Sequence, residues 1–213
     1  METSVVVLAG GFSKRFGQDK GLLKLAGKPL ILRVLDKVSP VVDEILVVVS
    51  SKSQEKACKH FLKPKAKIVI DKYETQNPLV GALTGFENAD GEYSLLLPCD
   101  TPFVSSEIVL LLLELCIGKD AVIPRWPNGH IEPLQAVYCT KSALNAAKKA
   151  LKHKRAQKLN MHSMIASLKK VCYVSTLVLK QIDPKLMTFF NINTPQDLRN
   201  AEYMLPAHAH ARA

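Results

Sequence analysis

Residues 5–20 read VVVLAGGFSKRFGQDK, an apolar run that opens into a loop rich in glycine and in basic side chains. Val5 to Leu8 has the composition of a buried strand, because β-branched and aliphatic residues pack well inside a sheet. The residues after this run include three glycines and three cations: Gly10, Gly11, Gly17, Lys14, Arg15 and Lys20. The stretch therefore predicts a buried strand that leads into an anion-binding loop.

Downstream of this loop, apolar runs alternate with segments of helical periodicity. The predicted strands of the first half are Val5–Leu8, Ile45–Val49, Lys67–Ile70 and Tyr93–Leu97. The predicted helices between and after them are Pro29–Val38, Gln54–Leu62, Leu79–Ala89 and Ser106–Cys116. Such alternation is typical of a mostly parallel sheet covered by helices on both faces, so the predicted fold class is α/β.

After Gly118 the alternation of apolar runs and helical segments becomes less regular but continues. The predicted elements there are strands at Ala121–Pro124 and Leu134–Cys139, a helix at Ser142–His153, an extended stretch at Val171–Leu179 and a helix at Pro195–Met204. Thr194 is suited to cap the last of these helices. We predict one domain over residues 1–205 and a disordered tail at 206–213.

Composition narrows the possible classes of function. The chain has 213 residues and a formal net charge of +10, which favours anionic partners. Basic stretches without interleaved aromatic residues, and without a zinc-finger or RNP-like motif, argue against a nucleic-acid partner. No apolar run is long enough for a membrane span. Five scattered cysteines predict reduced thiols and a cytoplasmic protein.

The glycine-rich loop is suited to hold a nucleoside triphosphate. In parallel α/β sheets, ligands bind at the carboxyl ends of the strands, where this loop lies. Glycine lets the backbone approach phosphate closely, and backbone N–H groups can then face the anion. Arg15 and Lys20 are candidates to neutralise the triphosphate and the departing pyrophosphate. The spacing matches neither a P-loop nor the dinucleotide fingerprint.

A second candidate segment is LLLPCDTPF, residues 95–103, in which Asp100 follows a predicted strand. An aspartate there would lie at the same sheet edge as the glycine loop. It could hold Mg²⁺, which takes few protein carboxylates and fills its other positions with water and phosphate oxygens; it could equally cap the following turn. Two weaker candidates follow. Asp71, at the end of the third strand, could bind a base or ribose or be a turn residue. Asn191 and Asn193 could bind phosphate or metal-bound water, or cap the last helix.

The motifs together resemble one known family, the molybdenum cofactor guanylyltransferases. They are LAGGFSKRFGQDKGLLKLAGKPL, an aspartate at the third strand end, NPLVGAL, LLLPCDTPF, EPLQAVY and FFNINTPQDL, and they run in order from about residue 5 to residue 200. The resemblance implies a Rossmann-like, three-layer nucleotidyltransferase fold. It implies GTP and Mg²⁺ on the donor side and a molybdopterin-type phosphorylated acceptor, with transient contact to cofactor-biosynthesis or acceptor proteins.

The resemblance also implies roles for individual residues. Lys20 would bind the phosphates of GTP, and Asp100 would hold both GTP and the metal. With Arg15, a candidate from the loop's own composition, they form the predicted catalytic set. The substrate-binding residues implied are Leu8, Ala9, Gly10, Gly11, Lys20, Asp71, Pro78, Leu79, Gly81, Asp100, Asn191 and Asn193. The chain departs from the family pattern at three positions, Ser50, Asn77 and Glu132, where other members often carry Asn, Gly and His.

Two alternatives to guanylyl transfer onto molybdopterin follow from the same residues. One is a sister nucleotidyltransferase, either a cytidylyltransferase for the same cofactor or a guanylyltransferase for a cobinamide or phospholactate acceptor. The other is a non-catalytic nucleotide-binding protein. Lys20 and Asp100 argue against the second alternative.

Overall fold

The computed structural model describes residues 2–10, 12–13, 16–59, 62, 66–71, 77–152 and 160–205. Its strands are β1 Thr3–Leu8, β2 Phe12–Ser13, β3 Gln18–Asp19, β4 Lys24–Leu25, β5 Lys28–Pro29, β6 Glu44–Val49, β7 Ala66–Ile70, β8 Tyr93–Pro98, β9 Ala121–Arg125, β10 Ala136–Cys139 and β11 Val171–Ser175. Its helices are α1 Leu30–Val38, α2 Lys52–Lys59, α3 Pro78–Asn88, α4 Ser106–Cys116, α5 Thr140–Lys152, α6 Met161–Ile165, α7 Thr176–Leu179 and α8 Pro195–Met204. Single 3₁₀ turns lie at Lys20–Leu22 and Met187–Phe189.

The central sheet has the strand order β11-β9-β10-β8-β1-β6-β7. Strands β7, β6, β1 and β8 are parallel neighbours, and β10 runs antiparallel to both β8 and β9. Strand β11 pairs parallel to β9, so β10 is the reversed strand of a mostly parallel sheet. The predicted fold class is therefore confirmed.

The two faces of the sheet follow from the alternation of side chains along each strand. Val5 and Val7 belong to the core cluster that contains the apolar faces of α1 and α4. Val6, between them, belongs to the cluster that contains α3, α5 and α6. Both faces of the sheet are thus covered by helices, which gives three layers and explains why the strands read as continuous apolar runs.

Most predicted elements agree with the structure to within two residues. The extended stretch predicted at Val171–Leu179 is wrong in its second half, because the chain turns into α7 after β11. The side chain of Ser175 accepts a hydrogen bond from the Leu177 N–H, which caps that short helix. Helix α2 starts at Lys52 and ends at Lys59, earlier at both ends than predicted.

The C-terminal helix confirms its predicted cap. The Thr194 side chain accepts from the Asp197 N–H, and the Asp197 carboxylate accepts from the Thr194 N–H, which is a reciprocal capping box. The predicted tail at 206–213 lies outside the described residues, and the single domain over 1–205 stays a prediction. Within the described ranges, every helix is too short or too polar to cross a bilayer.

Helix α3 lies so close to the sheet that it requires a glycine, and this gives a stability prediction. A Cβ added to Gly85 would lie 2.2 Å from Val6 Cγ1, which is in the fully buried core. We expect Gly85→Ala to lower the free energy of unfolding by about 1–3 kcal/mol through overpacking, although alanine is the better helix former. Thermal unfolding followed by circular dichroism measures the shift.

Gly81→Ala is the matched control on the same helix. Its added Cβ would lie 3.3 Å from Leu8 Cδ2, the end of a flexible side chain. We expect its melting temperature to be unchanged or slightly raised. An equal melting temperature for the Gly85 and Gly81 variants would contradict the packing of α3 against β1.

Candidate active site

Four neighbouring parallel strands end at one edge of the sheet, which we call the carboxyl edge. Leu8 lies opposite Val48 and Pro98, and Val49 lies opposite Ile70. The residues just past these ends are Asp71, Ser50, Ala9 with Gly10, and Asp100, in the order in which the strands lie. Parallel pairing alone therefore brings the predicted nucleotide-binding and metal-binding positions to one edge.

Gly10 allows the first loop to lie directly against the end of β6. A Cβ at this position would lie 3.2 Å from the backbone nitrogen of Ser50 and 3.4 Å from its Cβ, which is tighter than side chains normally accept. Gly10 therefore lies directly over the end of β6, at a place where a side chain would not fit. This is the physical reason for one of the predicted glycines.

The start of α3 forms the neighbouring wall. Asn77 precedes the helix, and its side chain accepts a hydrogen bond from the Leu79 N–H at 2.9 Å. Pro78 takes the first helical position, where its missing N–H is not needed. Gly81 lies next to the side chain of Leu8 at the end of β1. The asparagine that replaces the family's glycine is thus explained as an N-cap with an ordinary extended backbone.

Lys20 links the two predicted segments. Its Nζ lies 2.8 Å from Asp100 Oδ2 and 2.6 Å from Asn193 Oδ1. The Asp100 side chain is 10% exposed and that of Lys20 26%, so the ion pair is only partly shielded from solvent. A predicted catalytic lysine, a predicted metal ligand and one of the predicted asparagines therefore meet at one point.

A small separate core brings these distant segments together. It contains Leu23, Leu25 and Leu30 from the segment that leads into α1, and Ile192 and Ala201 from the C-terminal region. The backbone N–H of Ile192 also donates to the carbonyl oxygen of Asp100 at 3.0 Å. Apolar packing and one backbone bond thus place residues 191–193 beside the carboxyl edge.

Asn191 has an unusual unsatisfied atom. Its Oδ1 is buried and has no hydrogen-bond partner among the described residues. An acceptor that is buried without a donor costs about 1–3 kcal/mol, so such atoms are rare in folded proteins. The Asn191 carboxamide is therefore suited to accept a hydrogen bond from a ligand or from water.

Asp71 is held by the helix that packs over it. Its Oδ1 accepts a hydrogen bond from the hydroxyl of Thr84 at 2.9 Å, and Thr84 is buried on α3. Its backbone N–H donates to the carbonyl oxygen of Val49 at 2.7 Å. The carboxylate thus lies at the outer end of the carboxyl edge, two strands away from β1, and its role as a nucleoside contact stays a prediction.

The cysteines near the site are neutral and are not candidate nucleophiles. Burial, and secondarily the charge of Asp100, raises the pKa of the Cys99 thiol far above its usual range. Burial, and secondarily the charge of Asp19, raises the pKa of Cys58 to about 11. Both thiols stay protonated near neutral pH, which supports the interpretation of Cys99 as a small buried apolar residue.

Two polar contacts at this end of the molecule were not predicted from the sequence. The Glu132 carboxylate accepts from the Trp126 indole N–H at 2.6 Å, which explains its place before Pro133. The Gln54 side chain joins Ser50 to Asp19, directly beside Lys20. The sequence signal for the Gln54 contact was its position four residues before Cys58, which places both side chains on the same, buried face of α2.

The donor set at Asp100 fits a magnesium ion that arrives with its substrate. Within the described part of the chain, no group of three or more His, Cys, Asp or Glu side chains could hold a metal. One carboxylate, with the Asn193 carboxamide oxygen bound to the same lysine, fits the hard oxygen set that Mg²⁺ takes when phosphates and water complete its shell. Two further predicted residues, Gly11 and Arg15, lie outside the described residues.

The fold and this carboxyl edge, with its glycine loop, lysine and aspartate, define a nucleotidyltransferase. Residues 5–170 match the MobA-like NTP transferase domain. The chain therefore belongs to the MobA-like NTP transferase family.

Relatives match over nearly the whole chain. A probable molybdenum cofactor guanylyltransferase of Methanosarcina mazei is 36% identical, covering 92% of this chain and 88% of the relative. The molybdenum cofactor guanylyltransferase of Desulfosudis oleivorans is 30% identical and covers 95% of each chain. The crystal structure of molybdopterin-guanine dinucleotide biosynthesis protein A from Archaeoglobus fulgidus is 29% identical, with a TM-score of 0.79 over 94% of this chain and 97% of that one.

Proposed function

We propose that this enzyme transfers GMP from GTP to the terminal phosphate of the molybdopterin cofactor, which yields the guanine dinucleotide form of the cofactor and pyrophosphate. The observation that supports it best is the contact of Lys20 with both Asp100 and Asn193 at the carboxyl edge. Relatives of 30–36% identity that carry the name of this activity support the choice of donor and acceptor.

The nucleotide would lie along the ends of β7, β6 and β1. The backbone of Leu8, Ala9, Gly10 and Gly11 would contact GTP, because Gly10 lies over the end of β6 and has no side chain that would keep a phosphate away from its backbone. The nucleoside would lie between Asp71 and the start of α3, where Pro78, Leu79 and Gly81 form the wall. The phosphates would then point towards Lys20 and Asp100.

The acceptor would enter from the side of the C-terminal segment. Asn193 already shares the Lys20 ammonium with Asp100, and Asn191 offers an unsatisfied carboxamide oxygen. Amide N–H groups of the same two side chains can donate to an acceptor phosphate. The proposal includes transient contact with acceptor proteins. The cytoplasmic location was predicted from cysteine usage and stays a prediction.

The transfer requires that the two substrates be positioned and that the negative charge of their phosphates be neutralised. A phosphate monoester is anionic near neutral pH, so its oxygen can attack the α-phosphorus of GTP without a strong general base. Lys20 and Arg15 would stabilise the negative charge that develops on the pyrophosphate. Asp100, with Asn193 beside it, would hold Mg²⁺, which would supply electrostatic stabilisation of the reacting phosphate oxygens.

Binding of the four nucleotides tests the donor half of this proposal. A ligand that binds only the folded state stabilises it by about 2.7 kcal/mol at 100 times its Kd, so it raises the melting temperature. We expect GTP with Mg²⁺ to raise it by several degrees, and ATP, CTP and UTP to have little effect. Differential scanning fluorimetry at matched nucleotide and Mg²⁺ concentrations measures the difference.

Each other result points to a defined alternative. A shift with CTP alone would favour the cytidylyltransferase sister and keep the mechanism. If none of the four nucleotides raises the melting temperature, whether the acceptor is present or absent, the result would contradict the proposed function. A shift with GTP but no release of pyrophosphate in the presence of molybdopterin would point to a different acceptor, such as a cobinamide or a phospholactate, or to a nucleotide-binding protein.

A further inference from the structure

A buried glutamine lies directly behind the loop that carries Lys20. Gln54, on α2, is 7% exposed, which is low for a polar side chain. Its Oε1 accepts from the Ser50 N–H and from the Ser50 hydroxyl, each at 2.8 Å. Its Nε2 donates to Asp19 Oδ1 at 2.6 Å. The carboxamide therefore connects the end of β6 to the residue that precedes Lys20.

Asp19 is well placed to transmit this contact. It ends β3 and precedes the 3₁₀ turn that starts at Lys20, but its carboxylate makes no capping hydrogen bond to that turn. Gly21, which follows Lys20 in the turn, lies over Ala9 and Cys99, so the turn rests on the strand ends. The hydrogen bond from Gln54 to Asp19 is thus a lateral tie for this turn, in addition to the packing of Gly21 and the pairing of β3 with β2.

We infer that Gln54 is a positioning residue of the transfer reaction, which fixes Lys20 over Asp100 by holding Asp19. This inference rests on the proposed function of Lys20 as the phosphate-binding lysine. The four methylenes of Lys20 have a fixed length, so the position of its backbone limits where its ammonium can reach. A displacement of about 1 Å in a group that orients the reacting phosphates can cost as much as 10²-fold in rate.

The tie also explains the serine at position 50. Asparagine is common there in the family, but here the Ser50 hydroxyl donates to Gln54 Oε1. The same carbonyl oxygen also accepts a hydrogen bond from the backbone N–H of Ser50, so both hydrogen-bond donors of Ser50 contact Gln54. Ser50 therefore belongs to the support of the Lys20 loop.

Gln54→Glu tests the tie with almost no change in volume. The glutamate can still accept from Ser50, but its second oxygen would face Asp19 Oδ1 at the distance of a hydrogen bond, with no proton between them. We expect kcat for GMP transfer to fall by about 10–30-fold, with a smaller change in the KM for GTP, because Lys20 would be displaced from the developing charge. Gln181→Glu, at an exposed glutamine, is the control for the added negative charge.

The double variant Asp19→Asn with Gln54→Glu restores the contact with donor and acceptor exchanged, because the introduced asparagine can donate to the introduced glutamate. We expect it to recover most of the lost kcat, whereas Asp19→Asn alone should stay near wild type because its Oδ1 still accepts from Gln54. In a Lys20→Ala background, Gln54→Glu should lower residual turnover no further. If Gln54→Glu fails to fold, Asp19→Ala breaks the tie from its more exposed side and should lower kcat by a similar factor.

The failure of this inference is distinguishable from that of the proposed function. Full activity of Lys20→Ala would overturn the proposed role of Lys20 and the inference with it. Loss of activity in Lys20→Ala, with unchanged kcat in Gln54→Glu, would overturn only the inference. A Gln54→Glu defect that the double variant does not rescue, or that adds fully to the Lys20→Ala defect, would show a general structural role and also overturn it.

Discussion

Replacing Lys20 with methionine is expected to lower kcat for GMP transfer by about 10²–10³-fold, the cost of losing one preorganised charge at a reacting centre. Methionine keeps the length and most of the packing of lysine but removes the ammonium that contacts Asp100 and Asn193. We expect the protein to stay folded, because Lys20 is partly exposed and the turn that carries it packs through Gly21 on Ala9 and Cys99. A steady-state assay of pyrophosphate release measures the loss.

Two further variants define the lysine effect. Lys24→Met changes an exposed lysine in the same loop and should keep full activity. Lys20→Arg keeps the positive charge but spreads it over a wider, planar group, so it should recover only part of the activity. Equal activity of the Lys20 and Lys24 methionine variants would contradict the assignment of Lys20 as a catalytic residue.

Asp100→Asn is expected to have the largest effect, a loss of at least about 10³-fold in kcat/KM, because it removes the single carboxylate proposed to bind Mg²⁺. The carboxamide can still accept a hydrogen bond from Lys20, so the local structure should persist. Two readouts check the prediction: pyrophosphate release over a range of Mg²⁺ concentrations, and the extra thermal stabilisation that Mg²⁺ gives in the presence of GTP. The second should disappear in the variant.

Asp36→Asn is the matched control, since Asp36 is also paired with a lysine, Lys28, but on α1. It should keep both the activity and the effect of Mg²⁺ on stabilisation by GTP. Full activity of Asp100→Asn at saturating Mg²⁺ would contradict the metal role. Loss of activity with an unchanged Mg²⁺ effect on stabilisation would move Asp100 from metal binding to direct contact with substrate.

The interior strands of the central sheet were predictable because they are buried on both faces and read as uninterrupted apolar runs. The same reasoning located the candidate site, since Gly10 and Asp100 each follow such a run, Asp71 follows the less buried edge strand β7, and parallel strands end at one edge. Short elements were harder: α7 begins at a serine cap after β11, and its four residues carry too little periodicity to be separated from an extended stretch. Short helices are stabilised by their packing and leave little trace in sequence.

Contacts between distant segments could not be predicted from the sequence pattern. Lys20 meets Asp100 across 80 residues and Asn193 across 173 residues, and a small apolar core decides that these segments meet. The role of Gln54 was hidden for a related reason. A glutamine on a short helix is an ordinary solvent-exposed residue until the tertiary structure buries it between Ser50 and Asp19.

The most direct test of the proposed activity is a turnover assay with the purified protein, Mg²⁺, molybdopterin cofactor and each of the four nucleoside triphosphates. We predict that pyrophosphate is released with GTP only, that release requires the molybdopterin acceptor, and that the acceptor gains one GMP by mass. No release of pyrophosphate from GTP in the presence of the acceptor, with protein that is folded and binds GTP, would contradict the proposal.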